Sequence, residues 1–132
     1  MERLAKAFAA TVGVVFMALG VLGFVPGATE DYALVYFFAT DPVMNVLHLA
    51  VGIVAIVAIY EYQTDAFCRW AGVSLLLIGL LGFAPVVTTA DGALLGFIQV
   101  NWAVNLLHVA AGAAGAVLGF APRFGGRTSS AH

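Results

Sequence analysis

Four apolar runs, each close to 20 residues long, constrain this chain more than any other feature of its sequence. An α-helix needs about 20 apolar residues to cross a hydrocarbon core of roughly 30 Å. None of the four runs has a charged residue near its middle. We therefore predict four membrane-spanning helices, from about Ala5 to Val25, from Asp41-Pro42 to near Tyr62, from near Asp65 to just before Pro85, and from Asn101 to just before Pro122.

The composition excludes several other classes of protein. The chain has 132 residues, of which 63% are hydrophobic and 9% charged, whereas a soluble domain has about 45–50% apolar and about 25% charged residues. Intrinsic disorder requires low hydrophobicity. Five Lys and Arg residues and a net charge of −2 leave no basic surface for nucleic acid. The composition indicates an integral membrane protein whose surroundings are the lipid bilayer.

The sequence contains an internal repeat that includes most of the chain. GVVFMALGVLGFVP, starting at Gly13, returns as GVSLLLIGLLGFAP at Gly72, and TEDYALVYFFATDPVMNVLHLAVG, starting at Thr29, returns as TADGALLGFIQVNWAVNLLHVAAG at Thr89. We interpret residues 1–132 as one membrane domain with repeat 1 at about 5–62, repeat 2 at about 65–121 and a polar tail at 122–132. Because each repeat has two spans, both point the same way, which predicts tandem parallel repeats related by an axis along the membrane normal.

The two connections between paired spans are more apolar than ordinary loops. YALVYFFA follows Asp31, and GALLGFIQV begins directly after Asp91. An Asp at such a position can cap a helix. The sequence predicts a short interfacial helix in each of these outer loops, with an extra turn on the following span as the alternative.

The cations predict the orientation. All five lie on one side of the predicted spans: Arg3, Lys6, Arg69, Arg123 and Arg127. The outer loops have no Lys or Arg and contain four acidic residues. The positive-inside rule then predicts that both termini are cytoplasmic.

Asn45 and His48 recur in the second repeat as Asn105 and His108. Residues three apart lie on one helical face, and polar side chains in a span are expected to face the bundle interior. Both histidines lie about 9 Å below the outer start of their helices, level with Gly20 and Gly79. Since diagonal helices of a bundle are roughly 12–14 Å apart, we expect the two imidazoles to lie close together.

Three interpretations of these four residues remain open. In the first, the four side chains form an interhelical hydrogen-bond layer. In the second, His48 and His108 ligate haem, a chlorophyll-type pigment or a metal, and Asn45 and Asn105 support these ligands. In the third, the imidazoles form a path for protons or small solutes. No Ser-His-Asp or Cys-His set, phosphate loop or intramembrane carboxylate is present in the sequence. We therefore predict no catalytic residues and no enzymatic activity.

Three motifs resemble a known family: LLGFIQVNWAVNLLHVAAG from Leu94, GVLGFVP at the end of the first span, and N-x-x-H-x-x-x-G. From about Leu4 to Gly119 the chain resembles small bacterial four-span membrane proteins classified as a domain of unknown function, number 4383. The resemblance implies a four-helix membrane fold in the bacterial plasma membrane and no particular activity.

The leading functional hypothesis is a non-catalytic scaffold or accessory subunit. Its Gly-rich faces would pack against lipid, against copies of itself in a homo-oligomer, or against a larger membrane complex. The face of Gly112, Gly115 and Gly119 is interpreted as a close-packing, structural one. The alternatives are a protein that binds a cofactor through His48 and His108, and a small channel or permease.

Overall fold

Four long helices contain most of the residues that the computed structural model describes, namely 1–30, 33–34 and 37–122. The helices are α1 (Glu2–Leu22), α2 (Pro42–Tyr60), α3 (Thr64–Gly82) and α4 (Trp102–Phe120). All four are long and apolar enough to span a membrane, which confirms the predicted number of spans. The helices α1 and α3 end three or four residues before the next proline. Helical geometry is disfavoured at the residue that precedes a proline, so neither helix continues to it.

The starts of α2 and α4 are fixed by equivalent N-cap residues. Asp41 Oδ1 accepts a hydrogen bond from the Met44 N–H at 2.8 Å, and Asn101 Oδ1 accepts one from the Val104 N–H at 3.0 Å. These bonds satisfy N–H groups that have no partner within the helix. Pro42, at the first position of α2, has no N–H to satisfy.

The connections before α2 and α4 contain short strands, so the prediction of interfacial helices is wrong for the described residues. The first connection has β1 (Thr29–Glu30), β2 (Ala33–Leu34) and β3 (Phe38–Ala39), and the second has β4 (Ala93–Leu94) and β5 (Ile98–Gln99), all paired antiparallel. Residues 31–32 and 35–36 of the first connection lie outside the described residues. Leu95 and Gly96 have φ of 53° and 84°, a left-handed conformation that reverses the chain and is incompatible with an α-helix.

Glycines allow close packing of α1 on α2 and of α3 on α4. A Cβ atom added to Gly72 would overlap the backbone of Ala116, and one added to Gly112 would overlap the backbone of Leu76. Gly119 packs against Arg69 in the same way. The Gly-rich face of α4 is therefore buried against α3, which confirms its interpretation as a close-packing, structural face.

Two apolar clusters fill the interior at different depths. One lies towards the end of the bundle where α1 begins, here called the terminal end, and consists of Ala9, Val12, Phe16, Ala55, Ala58, Phe67 and Leu75. The other lies towards the end with the strands, here called the strand end, and consists of Ala39, Met44, Leu94, Val100 and Val104. The polar residues of the candidate site lie between them.

Candidate functional site

The imidazoles of His48 and His108 are in direct contact at the centre of the bundle. Their Nε2 atoms lie 3.1 Å apart, and the residues are 4% and 2% exposed. This confirms that the pair faces inward and meets across the two helices. Because each Nε2 is either a donor or an acceptor when the ring is neutral, one histidine donates the hydrogen bond and the other accepts it.

Phe16, on α1, packs against both histidines. Its ring centroid lies 5.1 Å from that of His48, edge to face, and 5.9 Å from that of His108, nearly parallel. Phe16 is 1% exposed. No sequence pattern identifies Phe16 as part of this site, because a single phenylalanine in an apolar span is not distinctive. The only signal is that repeat 2 has Leu75 at the matching position.

The two asparagines pack on glycines in matching ways. A Cβ on Gly23 would overlap the Asn45 side chain, and a Cβ on Gly82 would overlap that of Asn105. Each side chain therefore occupies space that only glycine leaves open. The two Asn/Gly contacts lie at equivalent positions of the two repeats.

The hydrogen bonds of the two asparagines differ. Thr40 Oγ1 donates to Asn45 Oδ1 at 2.5 Å, and Thr40 is 3% exposed. Repeat 2 has Val100 at the position of Thr40. Within the described part of the chain, Asn105 Oδ1 and His108 Nδ1 are buried without a hydrogen-bond partner. Repeat 2 therefore contains two unsatisfied polar atoms on one face of α4.

The N-cap residues also connect the two repeats at the strand end. Besides capping α2, Asp41 accepts a hydrogen bond through Oδ2 from the backbone N–H of Gln99 in repeat 2. Asn101 caps α4 and donates through Nδ2 to the carbonyl oxygen of Phe37 in repeat 1, at 2.9 Å. No sequence pattern predicts these second contacts, because they depend on how the two connections pack together.

The geometry of the histidine pair favours the hydrogen-bond interpretation. The 3.1 Å between the two Nε2 atoms is a hydrogen-bond distance, whereas two imidazoles that ligate a haem iron from opposite faces would hold their nitrogens about 4 Å apart. The Phe16 ring packs against both imidazoles. The described residues contain no group of three or more His, Cys, Asp or Glu arranged to hold a metal. A ligand role for His48 and His108, supported by Asn45 and Asn105, stays a prediction.

The core between the histidine pair and the terminal end combines apolar and polar groups. An apolar cluster lies there, and the buried polar residue Thr64 lies at the start of α3. Protons and polar solutes need polar groups or water along their route. The proton-path interpretation also stays a prediction.

The comparisons with known proteins place the chain in a family. No curated protein and no solved structure gives a significant match. A family model described as "Domain of unknown function (DUF4383)" matches residues 6–121. This range contains nearly all of the four helices, both Asn/His pairs and both N-caps. Because the match includes most of the sequence, the chain belongs to the DUF4383 family of domains of unknown function.

Proposed function

We propose that this protein is a non-catalytic scaffold or accessory subunit of the membrane, which packs with copies of itself or with a larger membrane protein. The observation that carries the proposal is an open groove between α2 and α3, here called the α2–α3 groove, whose walls include Ala50, Val54, Ala58, Ala66 and Ala71. Small side chains let a helix from another chain approach closely, which is how helices associate in lipid.

The surroundings of the groove support the same function. Trp70 lies at its edge and is 76% exposed, and large aromatic side chains are common anchors in protein interfaces. The bonded polar groups of the spans, His48 with His108 and Thr40 with Asn45, face each other inside the bundle rather than the groove. The groove therefore offers a mostly apolar surface, with Glu61, Gln63 and Ser74 as the polar residues of its lining, and such a surface suits association with another apolar helix.

Site-specific crosslinking in native membranes tests the proposal. Cys68 is first replaced by Ser, and a single cysteine is then placed at Val54 in the groove or at Ala114. Ala114 is exposed, lies outside the groove and is the repeat-2 equivalent of Val54, so it matches its predicted depth. We expect a short thiol crosslinker to trap a dimer or a larger adduct from Val54→Cys and not from Ala114→Cys. Equal trapping from both positions, or none from Val54→Cys, would contradict the proposal.

We also infer that the protein lies in the bacterial plasma membrane with both termini in the cytoplasm and with parallel repeats. Lys6 Nζ lies 5.8 Å from the centroid of the Tyr62 ring, and Arg69 donates to the Gly119 carbonyl oxygen, so these cations share the terminal end. Cations concentrate on the cytoplasmic side. The matching Asn/Gly contacts support the parallel repeats.

We expect a cysteine at Asp91 to react with an impermeant reagent from outside the cell, and one at Gln63 to react only after lysis. The reverse pattern would refute this orientation.

A further inference from the structure

The unsatisfied polar atoms of repeat 2 indicate a binding site within the bundle. We propose that Asn105 Oδ1 and His108 Nδ1 together bind one water molecule. Both residues are 2% exposed, and neither atom has a hydrogen-bond partner among the described residues. A buried polar atom without a partner costs about 1–3 kcal/mol, and buried water commonly satisfies such atoms.

The helix geometry suits a ligand of this size. Asn105 and His108 are three residues apart on α4, so their Cβ atoms lie about 5–6 Å apart on one face. Two hydrogen bonds of about 2.8 Å allow one water molecule to join polar atoms up to roughly 5.6 Å apart. Asn105 lies less than one turn, about 5 Å, below the start of α4 at Trp102, which keeps the site close to the membrane surface and to bulk water.

The chemistry of the two atoms favours water over other small molecules. Asn105 Oδ1 only accepts hydrogen bonds, so the bound molecule must donate to it. His108 Nδ1 donates or accepts according to which histidine of the pair carries the Nε2 proton. Water is suited to both arrangements because it donates and accepts, whereas an ammonium ion only donates.

In repeat 1 a hydroxyl group of the protein has the role that we propose for the water molecule in repeat 2. Asn45 Oδ1 is the equivalent atom, and it accepts from the hydroxyl of Thr40. Val100, the residue that matches Thr40, is 7% exposed and has no hydroxyl. Asn105 Oδ1 therefore has no hydroxyl donor at this position and can accept a hydrogen bond from water instead. The site is specific to repeat 2.

Water-edited solid-state NMR of the ¹⁵N-labelled full chain in bilayers tests this proposal. His132→Gln leaves His48 and His108 as the only histidines in the spectrum. We expect magnetisation transfer from water to His108 Nδ1 and to the Asn105 amide, and none to the Asn45 amide. Asn45 is a matched internal control because it lies at the same distance from the start of its helix.

Two substitutions move the expected signal in opposite directions. Val100→Thr should supply the hydroxyl that Thr40 supplies in repeat 1, so the water signal at Asn105 should be lost. Thr40→Val should remove that hydroxyl, so a water signal should appear at Asn45. The absence of water transfer to Asn105 and His108 in the wild-type protein, or its persistence at Asn105 in folded Val100→Thr, would overturn the proposal. The wild-type measurement decides the question even where a variant does not fold.

Discussion

The two repeats share some of the contacts that each makes within itself and differ in others, most clearly near the histidine pair. In both, a glycine accommodates an asparagine, and an Asp or Asn caps the second helix. Near the shared centre, however, Phe16 matches Leu75, and Thr40 matches Val100. The Asn/Gly contact and the N-cap are therefore kept in both repeats, while the hydrogen bond to the asparagine and the residue beside the histidines differ.

The reason for the divergence lies in the chemistry of a contact between equivalent residues. Two histidines that meet through the same nitrogen cannot play the same role, since one Nε2 donates and the other accepts. A single ring, that of Phe16, lies against both imidazoles. A second phenylalanine at Leu75 would add volume to an interior that is already packed. The environment of the pair is accordingly asymmetric even though the pair itself is repeated.

The closeness of helix packing also differs between the repeats, and matched glycines provide a test. A Cβ on Gly72 would overlap the backbone of Ala116, whereas a Cβ on Gly13 would lie 3.2 Å from the Ala55 Cβ. Overpacking costs about 1–3 kcal/mol, and Ala in a helix regains up to about 1 kcal/mol over Gly. The atoms nearest to a Cβ on Gly72 are backbone atoms, so the cost should lie at the upper end of this range. After subtraction of the helix-propensity gain, we expect Gly72→Ala to lower the free energy of unfolding by about 2 kcal/mol and Gly13→Ala to change it by less than about 1 kcal/mol.

Reversible unfolding in bicelles, followed by circular dichroism, measures both variants. The two substitutions are chemically identical and occupy equivalent positions, so each serves as the control for the other. Equal losses of stability would contradict the view that α3 and α4 pack more closely than α1 and α2.

The residues that sequence analysis identified correctly are those whose signal is periodic or repeated. The length of the apolar runs gave the four spans, and the recurrence of His48 as His108 predicted that the two rings meet. Thr40 was missed because it precedes α2 and reaches Asn45 only through the shape of the connection. The left-handed turn at Leu95 was missed because a leucine gives no sign of positive φ. The partner of the Gly-rich face of α4 was also missed, because small residues predict close packing without identifying the neighbouring helix.

Substitutions of the histidines should have an effect no larger than that of Gly72→Ala, and an unequal one. His48→Leu removes the partner of His108 Nε2. His108→Leu removes the partner of His48 Nε2 and also the Nδ1 atom that we propose to bind water together with Asn105 Oδ1. We expect each substitution to cost about 1–2 kcal/mol, with the larger loss for His108→Leu, since interhelical hydrogen bonds in membranes contribute about 0.6–2 kcal/mol.

His48→Gln separates the structural role from a ligand role. Glutamine retains a hydrogen-bonding side chain that can pair with His108, so it should recover part of the unfolding free energy that His48→Leu loses. A ligand set would behave differently, because neither Gln nor Leu supplies an imidazole nitrogen and both would abolish retention of a haem, pigment or metal equally. Unfolding measurements, together with optical and metal analysis of the purified variants, distinguish the two cases. A graded loss of stability across wild type, Gln and Leu would establish a structural hydrogen bond between the histidines; a bound cofactor that both substitutions release would refute that assignment.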